Sequence, residues 1–328
     1  HPIAHSLSPV LHRAAYKQLG LPWHYDAIDV PSGHRGQSHS HGSPVMAARD
    51  AIFCIDEAPG RNVDVRTVTW DDLLRPGDAT RFFVREPLPR FDVAARTYSP
   101  ANAWWLAEIS RIVYRPAEAV TPSRRQLLEA ADFEEIETFS SAATGTGAML
   151  VRSHAAPAFA VLAFRGTEQK SQDFLHDADT WPVPAFGGSV LVHRGFKRAL
   201  NSVWTAIDRA LDRIDDPVFY TGHSLGAALA TLAAARRSPQ AVYAFGSPRV
   251  GDERFVDKLK SVPVYRVVCG SDIVASVPPE SLGFRHAGEE HRIGPAPASA
   301  DVALFWSAFA TPPRALADHA PIRYVDGL

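Results

Sequence analysis

The chain has 328 residues, 46% apolar and 21% charged, which suffices for one large α/β domain or two modest ones and excludes global disorder. Lys+Arg 34 against Asp+Glu 36 leaves a formal net charge of −2, which excludes a protein organised around nucleic-acid or anionic-membrane binding. Two cysteines, Cys54 and Cys269, exclude a multi-disulfide scaffold and read as free thiols.

In chain order, the first twelve residues lack a charged n-region and an apolar h-region and do not read as a signal peptide. Residues 1–93 read as an irregular N-terminal extension. Within it, 34–44 is Gly, Ser and His with almost nothing apolar, a linker composition. Its His34, His39 and His41 fit a linker better than a metal site. Residues 94–328 read as one regular domain. Ser99-Pro100 starts a helix, and Trp104, Leu106, Ile109, Ile112 and Val113 recur at helical spacing. Strands follow at 148–152, 159–164, 218–221, 241–245 and 264–269, with helices at 193–214 and 225–237 between them. Continuous apolar strands alternating with helices predict a mainly parallel sheet covered by helices. The longest apolar run, 225–235, is too short to span a bilayer.

The chemistry concentrates at Gly222-His223-Ser224-Leu225-Gly226. This is a G-x-S-x-G turn with a predicted strand running in and a predicted helix running out. Such a turn strains the serine backbone, and the flanking glycines avoid collisions. The helix N-terminus directs N–H groups at developing negative charge. A serine nucleophile needs a base and a group that orients the base. Downstream of Ser224, Asp272 follows a strand's C-terminal edge. Asp252, the rival acid, sits at a helix start and fits an N-cap better. Three histidines follow Asp272: His286, His291 and His319. His319, in a late loop near the C-terminus, is the preferred base, with His286 the rival. For the oxyanion, Leu225 offers its N–H, and Thr167, just after the 159–164 strand, offers its N–H and hydroxyl.

From Ser99 onward these residues resemble the class 3 lipases, the family that includes filamentous-fungal triacylglycerol lipases. The motifs stand in the family's order. They are Phe164-Arg165-Gly166-Thr167, Val192-His193-Arg194-Gly195-Phe196, the elbow 222–226 continued by Ala227-Ala228-Leu229-Ala230, the 245–252 stretch, Asp272-Ile273-Val274 with Pro278-Pro279, and Asp318-His319 with Tyr324. The resemblance implies an α/β-hydrolase fold, no metal or cofactor, and hydrolysis of acyl esters such as acylglycerols at a lipid–water interface. It carries over Ser224, Asp272 and His319 as triad and Thr167 with Leu225 as oxyanion donors, with His193 and 246–252 as scaffold. It also implies a lid at 168–188, where Phe174, Leu175, Trp181 and Phe186 stand among Asp173, Asp177 and Asp179. Phospholipase, galactolipase and feruloyl-type esterase are alternatives on the same scaffold.

The N-terminal piece resembles something else. Pro2-Ile3-Ala4-His5-Ser6-Leu7-Ser8-Pro9, with His12 and 25–30, is similar to the start of shikimate dehydrogenase, whose paired serines would map to Ser6 and Ser8. The family's lysine-bearing segment and a Rossmann loop are missing, so this piece reads as a fragment without dehydrogenase activity, with a shikimate-binding oxidoreductase fragment as the rival reading from a different class.

Overall fold

The computed structural model describes residues 67–166, 181–294, 312 and 314–328. The chain divides into two units, His1–Thr67 and Val68–Leu328. The expectations for the shikimate-dehydrogenase-like segment, the 34–44 linker and Cys54 lie outside the described residues.

The second unit begins 26 residues before the boundary read at 93/94. Irregular sequence hides this, because the segment is held by packing rather than by periodicity. After the short helix α1 (Trp70–Leu74), the chain lies along α2 (Pro100–Ile112). Phe82 is buried under the Arg111 guanidinium at 4.0 Å, and the Phe83 N–H donates to Glu108 at 2.9 Å. The Trp105 indole donates to Pro89 O at 2.6 Å, and Asn102 exchanges two 2.8 Å bonds with the Asp92 backbone. Phe91 stacks on Phe159 at 3.9 Å. The predicted apolar stripe of α2 is therefore only part of its buried surface. The helix is buried on nearly every side, and Glu108 and Arg111 face each other there at 2.7 Å. A buried carboxylate with a guanidinium partner avoids the penalty of an isolated charge.

A third helix, α3 (Arg124–Ala130), leads into the main sheet. Its strands are β1 (Phe133–Ser141), β2 (Thr146–Ser153), β3 (Ala160–Phe164), β6 (Val218–His223), β7 (Ala241–Phe245), β8 (Val264–Cys269) and β9 (Glu289–Ile293). They stand in the order β1-β2-β3-β6-β7-β8-β9. The first three pair antiparallel, and from β3 to β9 every pairing is parallel. The small hairpin of β4 (Pro182–Ala185) and β5 (Val190–His193) lies apart from this sheet.

Alternation along the central strands sends side chains to two apolar layers. Val161, Ala163, Phe219, Tyr243 and Phe245 join α2 on one face. Leu162, Phe164, Tyr220, Val242 and Ala244 join α4 (Arg194–Leu211) and α5 (Leu225–Ala234) on the other. The mainly parallel, helix-covered sheet is thus the architecture expected of an α/β-hydrolase. Order β3-β6-β7-β8 brings the C-terminal ends of these strands side by side. After β7, α6 (Glu253–Lys258) is capped by Asp252, which accepts from the Phe255 N–H at 3.0 Å. Two short helices, α7 (Arg314–Ala317) and α8 (Pro321–Asp326), close the chain.

Candidate active site

β6 delivers the serine. Its last residue is His223, and α5 starts at Leu225, so Ser224 alone makes the turn, at φ 59° and ψ −125°. The Ser224 N–H is fixed by Phe245 O of β7 at 2.9 Å. A Cβ on Gly222 would stand 2.3 Å from the Gly226 carbonyl carbon, and one on Gly226 would stand 2.1 Å from Phe164 O. Both contacts are with backbone, so the two glycines are what lets strand, turn and helix pack this tightly. Leu225 is the first residue of α5, so helix geometry leaves its N–H outside the i→i−4 ladder.

β3 pairs with β6 so that Phe164 stands opposite Gly222. Two residues later a Cβ on Gly166 would lie 2.7 Å from His223 O and closer still to the Tyr114 hydroxyl. The β3 loop thus starts against the elbow. Thr167 and most of the expected lid, 167–180, lie outside the described residues. Of the remaining lid positions, Trp181 is 60% exposed and Phe186 partly so.

Asp272 follows β8, and His319 stands between α7 and α8. Far apart in sequence, they meet at 2.8 Å, His319 Nδ1 to Asp272 Oδ2, both buried. The same Oδ2 accepts from the Tyr324 hydroxyl on α8, and Oδ1 accepts from the Val274 N–H at 2.8 Å. Burial opposes a charge on Asp272, but His319 and the Tyr324 hydroxyl outweigh it and hold the carboxyl below the usual range. Burial and the neighbouring carboxylate push the Tyr324 phenol well up, so it stays a donor. Gly246, at φ 57°, borders this cluster. A Cβ there would stand 2.6 Å from Asp272 Oδ2, 2.8 Å from Tyr324 Oη and 3.0 Å from His319 Nδ1. The 246–252 stretch, expected as scaffold, therefore includes a residue of the site wall. His193 does serve the scaffold: it caps α4 and stacks on Phe196 at 3.9 Å.

The other two histidines that follow Asp272 are engaged elsewhere. His286 Nε2 is 2.7 Å from Ala275 O, and His291 stacks on Tyr98 at 3.6 Å.

His223, which sequence reasoning passed over, ties the site together. Its Nε2 lies 2.6 Å from His319 O and its Nδ1 3.2 Å from the Tyr114 hydroxyl. Burial, reinforced by His319 nearby, brings its pKa down to about 3, so the ring is neutral. A carbonyl only accepts, so Nε2–H donates to His319 O, and Nδ1 then accepts from Tyr114. The only sequence signal was its place inside the elbow. Its partner Tyr114 lies 109 residues upstream.

Buried neutral histidines make stability depend on pH. The folded pKa of His223 is about 3 and that of His286 about 4, against an ordinary 6.5. Below about pH 6.5 the unfolded chain binds protons that the folded one does not, so stability falls as pH falls toward 4. Asp272, its pKa lowered, adds to this loss once carboxylates titrate. His223 alone should cost roughly 2–3 kcal/mol at pH 4.5. We expect Tm to drop by several degrees between pH 7 and 4.5, and less steeply in His286→Gln. An unchanged Tm across this range would contradict it.

Residues 161–282 match the family described as lipase (class 3), and residues 1–42 match the shikimate dehydrogenase substrate binding domain. The chain is 33% identical to a lipase of Rhizomucor miehei over 180 residues, 49% of each chain. It is 38% identical to the secreted mono- and diacylglycerol lipase 1 of Fusarium solani over 121 residues, covering 34% of this chain and 36% of that one. Among solved structures, the lipase of Rhizopus microsporus var. chinensis superposes with a TM-score of 0.51 at 28% identity, over 66% of this chain and 84% of that one. The chain spans about half the length, or less, of the curated relatives it matches. Among the described residues, no helix is long and apolar enough to cross a membrane, and no group of three or more His, Cys, Asp or Glu could hold a metal ion.

Proposed function

We propose, on the premise that residues 161–282 match the class 3 lipase family, that the chain is a serine carboxylic ester hydrolase acting on acylglycerols. The observation that carries the reading is the meeting of His319 and Asp272 at 2.8 Å beside a strained serine elbow. Nδ1 of His319 is engaged by Asp272, which leaves Nε2 for the reaction. In the proposed cycle, Nε2 takes the proton of Ser224 Oγ as this oxygen attacks the ester carbonyl. The Leu225 N–H and Thr167 receive the oxyanion. Collapse expels the alcohol, which takes the proton from His319. Water then attacks the acyl-enzyme, His319 taking its proton and returning it to Ser224 as the fatty acid leaves.

For the substrate, triacylglycerol is the first reading. Mono- and diacylglycerols are the second, favoured by the Fusarium and Malassezia relatives, which carry that description. The 168–188 segment acts as a lid in this account. Phe174, Leu175 and the exposed Trp181 supply it with apolar side chains for an oil surface. Burying two such side chains is worth roughly 3–6 kcal/mol, enough to shift a closed-to-open ratio by about 100-fold or more. Rates should be measured on p-nitrophenyl butyrate through its solubility limit and on emulsified tri-, di- and monoolein. We expect a sharp rise once substrate forms a second phase, weakened when Phe174 and Leu175 are changed to Ser. A smooth saturation curve, identical in that variant, would remove the lid. Hydrolysis of monoolein and diolein without triolein would select the second reading.

A further inference from the structure

We propose that Asp318 is a positioning residue that sets the geometry of the His319–Asp272 pair by clamping the two loops that carry them; the inference rests on the hydrolase reading above. Asp318 immediately precedes His319, yet its side chain reaches the other loop, where Oδ2 accepts the Ser271 N–H at 2.8 Å. Ser271 immediately precedes Asp272. One hydrogen bond therefore joins the residues just before each member of the pair.

The surroundings make this a tight joint. The Asp318 side chain is 4% exposed, a rare placement for a carboxylate without strong partners. Arg314 and Arg323 approach it only to 3.7 Å, which balances charge without directing geometry. Among the described residues, the Ser271 N–H is the one donor within hydrogen-bond distance of it. Gly270, at φ 45°, lies flat against the carboxylate: a Cβ there would be 2.4 Å from Oδ2 and 2.8 Å from Cγ. The β8 turn thus bends in a conformation that suits glycine, and the bend admits the Asp318 carboxylate between the loops. At its own backbone, Asp318 N–H donates to Arg314 O at 2.7 Å, and Ile273 N–H donates to Ala315 O at 3.2 Å. Without the clamp, the backbone at Ser271 loses its tie to the His319 loop; the loops stay joined by Ile273 N–H to Ala315 O and by the pair's own hydrogen bond, with Tyr324 and Val274 on Asp272 and His223 on His319 O. Displacement of a reacting group by about 1 Å can lower a rate about 100-fold.

The test compares Asp318→Ala, Asp318→Asn and Asp318→Glu in the full chain. Asn keeps an acceptor oxygen at the same reach and drops the charge. Glu keeps the charge but is one methylene too long for the space over Gly270. For a dissolved p-nitrophenyl ester, kcat is measured per active site titrated with a fluorophosphonate, together with KM. We expect Ala and Glu to lose roughly 10- to 100-fold in kcat with KM changed less than about twofold, and Asn to stay within about threefold of wild type. A purely structural role would lower Tm or the titrated fraction and leave kcat per site unchanged. Wild-type kcat per site in Ala or Glu would overturn the proposal, as would an Asn variant as impaired as Glu. If Ala does not fold, the contrast between Asn and Glu decides alone. A wild-type protein that neither hydrolyses esters nor takes the label would fail the hydrolase reading instead.

Discussion

Ser224→Ala should lower kcat for ester hydrolysis by at least roughly 10⁴-fold while the protein stays folded. The substitution removes one oxygen and nothing that holds the turn. The strained φ of 59° is shared by Ser and Ala, since both carry the same Cβ, so no new strain arises. The Ser224 N–H keeps its bond to Phe245 O, and Gly222 and Gly226 keep the close approach of β6 and α5. Tm should therefore stay within a few degrees of wild type, and KM should change little. The residual rate should be that of the oxyanion donors and binding alone. A folded Ser224→Ala protein with more than about 1% of wild-type kcat would place the nucleophile elsewhere.

Asp272→Asn should cost about 10³- to 10⁴-fold in kcat, because no orientation of an amide suits the site. Both carboxylate oxygens accept: Oδ1 from the Val274 N–H, and Oδ2 from His319 Nδ1–H and the Tyr324 hydroxyl. An amide nitrogen at Oδ1 would face an N–H, leaving two buried donors opposed. At Oδ2 it would face the imidazole and oblige His319 to carry its proton on Nε2. That tautomer cannot take a proton from Ser224. The loss should fall on kcat, with the fold retained by circular dichroism. Near-normal kcat in Asp272→Asn, with loss instead in Asp252→Asn, would move the acid to the rival position.

The parts of this arrangement that local sequence encodes were legible. β6, β7 and β8 are short, mostly apolar runs because both faces of the sheet are covered, and the elbow between β6 and α5 has a spacing set by steric need. Asp272 is legible as a candidate from its place after β8 and His319 from its late loop, and the fold brings the two together at 2.8 Å. What sequence hid depends on contacts across the fold. β1 is hard to read in sequence because one of its inward positions holds Glu135, paired with Arg124, while Ile136 faces outward. The segment from Val68 to Val93 has no period, yet Phe82 and Val93 join the core through α2. Tyr114 and His223 are joined only by the folded chain. Gly246 reads in sequence as scaffold, although its missing side chain makes room for Asp272, Tyr324 and His319 together. Asp318 and Tyr324 were visible only as parts of a motif. Their partners, Ser271 and Asp272, lie on another loop.

The central claim is that Ser224 Oγ is the activated nucleophile of this chain. The most direct measurement is reaction of the full chain with a fluorophosphonate, followed by mass spectrometry of its peptides. Attack by an activated serine oxygen forms an O–P bond and expels fluoride, with the proton leaving through the base. The account predicts one phosphonyl group per chain, on the peptide that contains Ser224, with ester hydrolysis lost in proportion to labelling. It also predicts no label in Ser224→Ala. Labelling on a different peptide, or hydrolysis that persists after Ser224 is fully modified, would contradict it.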